Sequence, residues 1–366
     1  MEPKKERILS VDALRGFDML WILGIDELSY RMVEADKNPF TTFFNTQMNH
    51  PEWTGFHFYD IIMPLFLFIV GVSMPFSVLK RKEKGESKKS IYLHILKRVL
   101  ILWIFGMMVQ GNLLTYDIHK IKIYSNTLQA IASGYLIASL IILNMKQMWQ
   151  YISAGLLLML YWISIVLIPV PGHAAGYMDP HANLPLFIDQ LIFGHMQDGT
   201  TYSWILSSLN FAGTTLLGVF AGYILKSMDG EMKKFWKLLL TGLGLFAVSL
   251  AWHPIHPIVK HIWTSSFVLF SGGICFVMLA VFYLIVDVWK YQKWTFPFLV
   301  IGSNAILAYL MSHLMGWRFG AIANVVLGGF GQWTGAWQHS LETAGGIVII
   351  YAILYYLYKK KIFLKV

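Results

Sequence analysis

Residues 59–82 read YDIIMPLFLFIVGVSMPFSVLKRK. After Asp60 no charged side chain occurs until Lys80, Arg81 and Lys82 close the run. A helix crosses the hydrocarbon core in about 20 residues, so this stretch is a membrane span with a basic stop on one side. Working outward, nine further segments of similar character lie near 11–32, 91–113, 126–144, 148–168, 207–225, 235–252, 262–286, 296–315 and 342–358. The expected fold is an all-α integral membrane protein of about ten transmembrane helices in one bundle. The composition agrees, with 56% hydrophobic and 13% charged residues, where soluble domains carry roughly 25% charged. That excludes a soluble enzyme and a disordered chain. A single cysteine, Cys275, excludes an intrachain disulfide.

The net charge of +9 reads as loop lysine and arginine on one membrane face, not as a nucleic-acid surface. With the N-terminus in the cytoplasm, twenty-two basic residues fall inside, including Lys4, Lys5, Arg7, the 80–89 cluster, Lys97, Arg98, Lys359 to Lys361 and Lys365. Six fall outside: Arg31, Lys37, Lys120, Lys122, Lys260 and Arg318. This asymmetry requires an even number of spans and puts both termini in the cytoplasm. No cleavable signal peptide is expected, because charges recur through the first span.

Ionisable groups inside a bilayer are costly and mark function unless they are paired. The first span carries Asp12, Arg15, Asp18, Asp26 and Glu27. Ser10 or Asp12 can cap its helix, and Asp12 and Arg15 at i,i+3 can pair. Alternatively Arg15 faces a bound anion at the cytoplasmic mouth. Asp26, about 16 Å farther along a continuous helix, falls toward the outer half. Before the second span comes Asn49-His50-Pro-Glu52-Trp53-Thr-Gly55-Phe-His57-Phe-Tyr59-Asp60. Pro51 and Gly55 make this a loop leading into a helix capped near Asp60. A loop histidine is commonly just solvated, and Trp53 fits an interfacial aromatic belt. A histidine beside Glu52 and Asp60 also fits a general base near neutral pH. His253, His256 and His261 invite a metal reading, but prolines break their register and no cysteine or carboxylate completes the set, so no metal is expected. Asn126, Gln129, Asn210, Thr214, Thr215, Ser303, Asn304 and His313 lie in or at the ends of spans. Interhelical contacts account for most of them, and a minority line the site.

The opening Arg7-Ile-Leu-Ser-Val-Asp12-Ala-Leu-Arg15-Gly16 resembles that of the heparan-alpha-glucosaminide N-acetyltransferase family of transmembrane acyltransferases. So does Trp53-Thr-Gly-Phe-His-Phe-Tyr-Asp60-Ile-Ile-Met-Pro64 and its continuation to Gly71. Thr127-Leu-Gln129, Asn183 with Asp189, Leu217 to Gly222, Lys260-His-Ile-Trp263-Thr-Ser-Ser, and Gly302-Ser-Asn304 follow in the same order.

The resemblance implies one acyltransferase domain over 1–366, of a shorter, bacterial type, in the inner membrane. It implies transfer of acetyl from cytoplasmic acetyl-CoA, the co-substrate, to the amine of a terminal glucosamine or glycosaminoglycan-derived saccharide on the periplasmic side. The family's active histidine maps onto His50, and Asp26, standing where the family carries an asparagine, is expected beside it in catalysis, orienting or charge-stabilising the imidazole. His50, with an ordinary pKa of about 6.5, serves as general base or transient acetyl carrier. Arg15, Asp12, Lys97, Arg98, Asn126 and Gln129 are expected on the acetyl-CoA side. Glu52, Trp53, Asp60, Trp263, Asn304 and His313 are expected on the acceptor side. Donors for the oxyanion come from Asn126, Asn304 or Trp263. The partners are the lipid bilayer and the saccharide, with a homodimer allowed and no nucleic acid. Two alternatives remain: an O-acyltransferase acting on a cell-envelope glycan, and a sugar transporter, which the absence of a visible internal repeat disfavours.

Overall fold

The computed structural model describes residues 8–364. Lys4, Lys5, Arg7 and Lys365 of the charge reading lie outside the described residues. In chain order the helices are α1 (Leu9–Ile22), α2 (Ile25–Ala35), α3 (Pro39–Met48), α4 (Ile62–Ser73), α5 (Val78–Glu83), α6 (Lys88–Val109), α7 (Thr127–Asn144) and α8 (Gln147–Leu167). They continue as α9 (Leu184–Phe193), α10 (Ser207–Lys226), α11 (Glu231–Trp252), α12 (Ser265–Phe282), α13 (Phe296–Ser303), α14 (Ala305–Leu327), α15 (Gly331–Thr334) and α16 (Gln338–Lys359). Among the described residues, eight helical runs are long and apolar enough to cross a membrane. The last of them, Ala305–Lys359, contains both α14 and α16. The protein is an all-α membrane protein.

The chain folds as two units, one built from residues 8–50, 57–62 and 278–364, the other from 51–56 and 63–277. In the second unit, α4, α7 and α10 are mostly buried. Their backbones approach through small residues: a Cβ on Gly218 of α10 would lie 2.0 Å from the Phe68 carbonyl oxygen of α4. Without a hydrophobic drive between helices in lipid, such close packing is a main source of cohesion. Phe68 and Phe276 then meet edge to face with centroids 5.0 Å apart. The faces of α6, α8 and α11 carry exposed Leu93, Leu100, Leu156, Leu160, Leu240 and Leu243, as lipid-facing helices do.

In the first unit, α1 lies against α13 and α14 against α16. A Cβ on Gly16 would fall 1.7 Å from the Phe298 carbonyl oxygen, so these backbones touch. The expected cap from Ser10 or Asp12 is replaced. The Asp287 carboxylate accepts from the backbone N–H groups of Leu9 (3.2 Å) and Ser10 (3.1 Å), supplying the helix N-terminus with an anion from 277 residues away.

Two expected spans are broken. The 11–32 segment splits at Leu23–Gly24, where Gly24 has φ 115°, a conformation cheap only for glycine. Asp26 and Glu27 then occupy the first turn of α2, where carboxylates suit the helix dipole. The 296–315 segment splits at Asn304 between α13 and α14. Asn304 donates from Nδ2 to the Ile362 carbonyl (2.9 Å) and accepts from the Leu364 N–H (2.9 Å).

Candidate active site

Helix α3 starts with a reciprocal cap: Asn38 accepts from the Thr41 N–H (3.0 Å) and Thr41 Oγ1 from the Asn38 N–H (3.1 Å), with Pro39 just inside. It ends at Met48, and the chain becomes extended at Asn49. The turn at 57–61 is tied back to this end. His57 Nδ1–H donates to the Asn49 carbonyl (2.8 Å), and the Phe58 N–H donates to Gln47 Oε1 (3.1 Å). These bonds bring together two residues ten apart, His50 and Asp60. The intervening 51–56 belong to the second unit, where Thr54 bridges Val259 and the Gly55 N–H donates to the Ile258 carbonyl (3.1 Å).

His50 Nδ1 lies 2.6 Å from Asp60 Oδ1. The other oxygen, Oδ2, accepts from the His57 N–H at 2.8 Å. Asp60 is completely buried, whereas the His50 side chain is 29% exposed. A carboxylate on Nδ1 places the proton there, making Nε2 the basic nitrogen. A carboxylate on one ring nitrogen is the arrangement that orients a histidine acting as a general base.

The Tyr59 ring lies 5.4 Å from that of His50. Tyr59 and Asp26 line a cavity of about 660 Å³ together with Ser312, His313, Trp317 and Glu342. That volume is typical of small-molecule sites. His313 stacks on Tyr309 with centroids 4.1 Å apart, and its Nδ1–H donates to the Tyr309 carbonyl (3.1 Å). Arg31, also in the lining, is held by Glu27 (2.7 Å) and Glu34 (2.8 Å). Glu342 takes His339 at 3.1 Å. The wall thus offers carboxylates, imidazole, hydroxyls and one exposed indole, which suits a hydroxylated ligand bearing a cation.

Of the residues singled out in the sequence, the first unit holds His50, Asp60, Asp26, His313, Asp12, Arg15 and Asn304. Asp12 and Arg15 pair at 3.2 Å, as their spacing suggests. The carboxylate on His50 Nδ1 is Asp60, and Asp26 lies in the adjoining cavity near His313.

The second unit holds Glu52, Trp53, Lys97, Arg98, Asn126, Gln129 and Trp263. Glu52 and Lys97 are exposed. Arg98 lies over the Tyr135 ring at 4.5 Å, with its Nε buried and lacking a hydrogen-bond partner. Asn126 caps α7 by accepting from the Leu128 N–H (2.8 Å) and donates to Gln110 (2.7 Å). Gln129 clamps the preceding loop through the Ser125 N–H (2.9 Å) and the Ile123 carbonyl (2.6 Å). Trp53 donates to the Met178 carbonyl (3.2 Å) and meets the His261 ring edge to face. Trp263, buried at φ 52°, donates to Thr214 Oγ1 (3.2 Å). A bulky residue in this region is a true outlier.

The three clustered histidines each take a different partner. His253 accepts from the Ile258 N–H (3.1 Å), His256 from the Ser265 N–H (3.1 Å), and His261 meets Thr201 (2.6 Å).

Sequence reasoning quoted Tyr59 and Asp189 only as members of longer motifs, gave them no role, and passed over Glu342 and the half-buried Asp287. Asp189 accepts from the N–H groups of Trp204 (2.6 Å) and Ile205 (3.0 Å). Burial still pushes its carboxyl up to about 7. Asp189 and Asp287 interrupt apolar runs, the signal by which they could have been found, whereas Glu342 stands in the polar stretch Gln338-His-Ser-Leu-Glu342-Thr.

The fold is that of a polytopic helical membrane protein, and it carries a histidine, His50, held by the buried Asp60. A sequence family described as "Domain of unknown function (DUF5009)" matches residues 7–171. The chain is 24% identical over 384 aligned positions to the heparan-alpha-glucosaminide N-acetyltransferase of Mus musculus, covering 87% of this chain and 56% of the mouse protein. It is 25% identical to the Homo sapiens protein of the same name, covering 87% of this chain and 55% of the human one. The chain is therefore a distant relative of these acetyltransferases and spans about half their length.

Proposed function

We propose that the protein is a membrane N-acetyltransferase that moves acetyl from acetyl-CoA to the amine of a terminal glucosamine or related amino sugar. The observation that carries this reading is the His50–Asp60 pair, set in a chain similar over most of its length to two such enzymes.

A protonated amine has no lone pair to attack a thioester. His50 Nε2, with Asp60 holding Nδ1, takes that proton and lets the amine add to the carbonyl. When the tetrahedral intermediate collapses, the thiolate leaves and is protonated to CoA thiol. His50 can also carry the acetyl group itself on Nε2 before the amine takes it. The acceptor sits in the cavity lined by Asp26, Glu342 and Trp317. Arg98, with its unpartnered Nε, and exposed Lys97 supply cationic donors for the phosphates of CoA. In this reading the termini face the cytoplasm and the His50 loop faces the periplasm.

The test is acetyl transfer from labelled acetyl-CoA to glucosamine by purified protein in detergent, beside His50→Ala. The expected result is loss of transfer in the variant with CoA binding retained. Equal rates in both proteins reject the assignment of His50. No transfer by the parent across a panel of amino sugars rejects the activity. Label retained on the parent after acid quench, and absent from the variant, selects the acetyl-histidine route.

A further inference from the structure

The wall of the cavity between α2, α14 and α16 carries more acid than base. Asp26, Glu27 and Glu342 line it, and among the described lining residues Arg31 is the only lysine or arginine. That cation is already committed. Its Nε–H donates to Glu27 Oε1 at 2.7 Å, and its Nη1 donates to Glu34 Oε2 at 2.8 Å. The i,i+4 and i,i+3 spacings put all three side chains on one face of α2. Two carboxylates against one guanidinium leave this triplet with a net charge of −1. Charge-assisted bonds of this length hold the guanidinium in place.

The imidazoles of the wall are engaged as well. His313 Nδ1–H donates to the Tyr309 carbonyl (3.1 Å), and His339 Nδ1 lies 3.1 Å from Glu342 Oε2. Arg318 lies over the Trp317 ring at 5.1 Å and is not among the lining residues. A cation entering the cavity therefore meets complementary charge. An anionic group on the same ligand would approach Arg31 only beside Glu27 and Glu34, and like charges brought together discriminate against the wrong partner.

We propose that the cavity selects an amino sugar whose other substituents are uncharged, and that the Glu27–Arg31–Glu34 triplet turns away acceptors bearing sulfate, phosphate or carboxylate close to the amine. The acceptor class is an unsulfated amino saccharide with free hydroxyls. This rests on the reading that the cavity receives the acceptor for acetyl transfer, but the charge preference is a property of binding and is measured without turnover. Glu34 lies outside the lining and acts through Arg31, as a positioning residue that cancels its charge.

Calorimetric titration of the purified protein in detergent with glucosamine, its 6-O-methyl ether and its 6-sulfate tests the proposal. The ether fills the added space without adding charge. Glucosamine and the ether are expected to bind alike, and the 6-sulfate about tenfold more weakly. That is the scale of one extra pair of like charges roughly 10 Å apart in a partly hydrated site. Added salt should narrow the gap. Glu34→Gln leaves the wall residues in place and releases one side of Arg31. It is expected to bind glucosamine as the parent does and to recover most of the tenfold for the 6-sulfate. The proposal is overturned if the parent binds glucosamine and its 6-sulfate equally, or if the ether binds as weakly as the sulfate, which would make the effect one of size. It also falls if Glu34→Gln leaves the gap unchanged, or if none of the three sugars binds. Charge-selective binding without acetylation of any of them would reject the acetyltransferase reading and leave the selection standing.

Discussion

Asp60 Oδ1 lies 2.6 Å from His50 Nδ1, and Asp60 is fully buried while His50 reaches the surface. A buried carboxylate on Nδ1 fixes which nitrogen of the imidazole carries the proton. Asp60→Asn keeps the size and one acceptor but presents an amide donor to Nδ1–H, favouring the wrong tautomer. Acetyl transfer is expected to fall by about 10²–10⁴-fold with little change in the KM for acetyl-CoA. Initial rates at saturating acceptor check this. A rate within twofold of the parent would show that Asp60 serves only the fold.

Asp26 is expected to act on acceptor affinity through its charge. Asp26→Asn should raise acceptor KM by about tenfold, corresponding to the loss of a charged hydrogen bond of roughly 1.5 kcal/mol. A neutral sugar of the same shape should inhibit parent and variant equally. Weaker inhibition of the variant by the neutral sugar would mean that Asp26 recognises hydroxyls instead of the ammonium.

Two buried groups should give the fold opposite pH dependences. Burial pushes Asp189 up to about 7, above its ordinary value of about 4. The folded protein therefore holds the extra proton, and Asp189's contribution to stability is lost as pH rises through 7. His256 is pushed down to about 4 by burial, below its ordinary 6.5. Its contribution is lost as pH falls from 6.5 toward 4. Thermal unfolding in detergent across this range reads both. Relative to the parent, Asp189→Asn should lose less Tm toward alkaline pH and His256→Gln less toward acid. Parallel profiles for all three proteins would contradict the assignment.

Glycine substitutions separate contact from propensity. A Cβ on Gly16 would strike the Phe298 carbonyl oxygen at 1.7 Å, whereas one on Gly244 in α11 meets nothing within 4 Å. Gly16→Ala is expected to destabilise by about 1–3 kcal/mol or more. Gly244→Ala should leave Tm unchanged or raise it through helix propensity of up to about 1 kcal/mol. The two Tm values in detergent decide, and a Gly16→Ala protein as stable as the parent would show that α1 and α13 can separate without cost.

Most of the helical layout was legible because lipid imposes one rule, about 20 apolar residues per crossing, and the runs from 59 to 286 obey it. The reading failed where a single residue overrides that rule. Gly24 breaks the first expected span with a backbone angle that hydropathy does not register, and Asn304 breaks another by binding the chain near its end. Within the site, His50 was legible because a polar loop meets an apolar run there. Its partner was not: the sequence favoured Asp26, with Glu52 and Asp60 as flanking acids, and the turn at His57 is what brings Asp60 to Nδ1. Tyr59 and Glu342 were not legible, since a tyrosine and a glutamate gain meaning only from the cavity between α2, α14 and α16. Asp287 was hidden because its partner is a backbone on the other side of the sequence.

The tie between Asp287 and the first turn of α1 also sets a schedule for synthesis. Residues 63–277 form most of one unit from an unbroken stretch, whereas the other is assembled from two ends of the chain. The ribosome therefore finishes the middle of the protein while α1 still lacks its anion, and the His50 segment still lacks α14 and α16, which complete the cavity wall. The unit that carries the His50–Asp60 pair is the last to be completed, and a chain ending before residue 287 holds the continuous middle of the protein without the α14 and α16 side of the cavity.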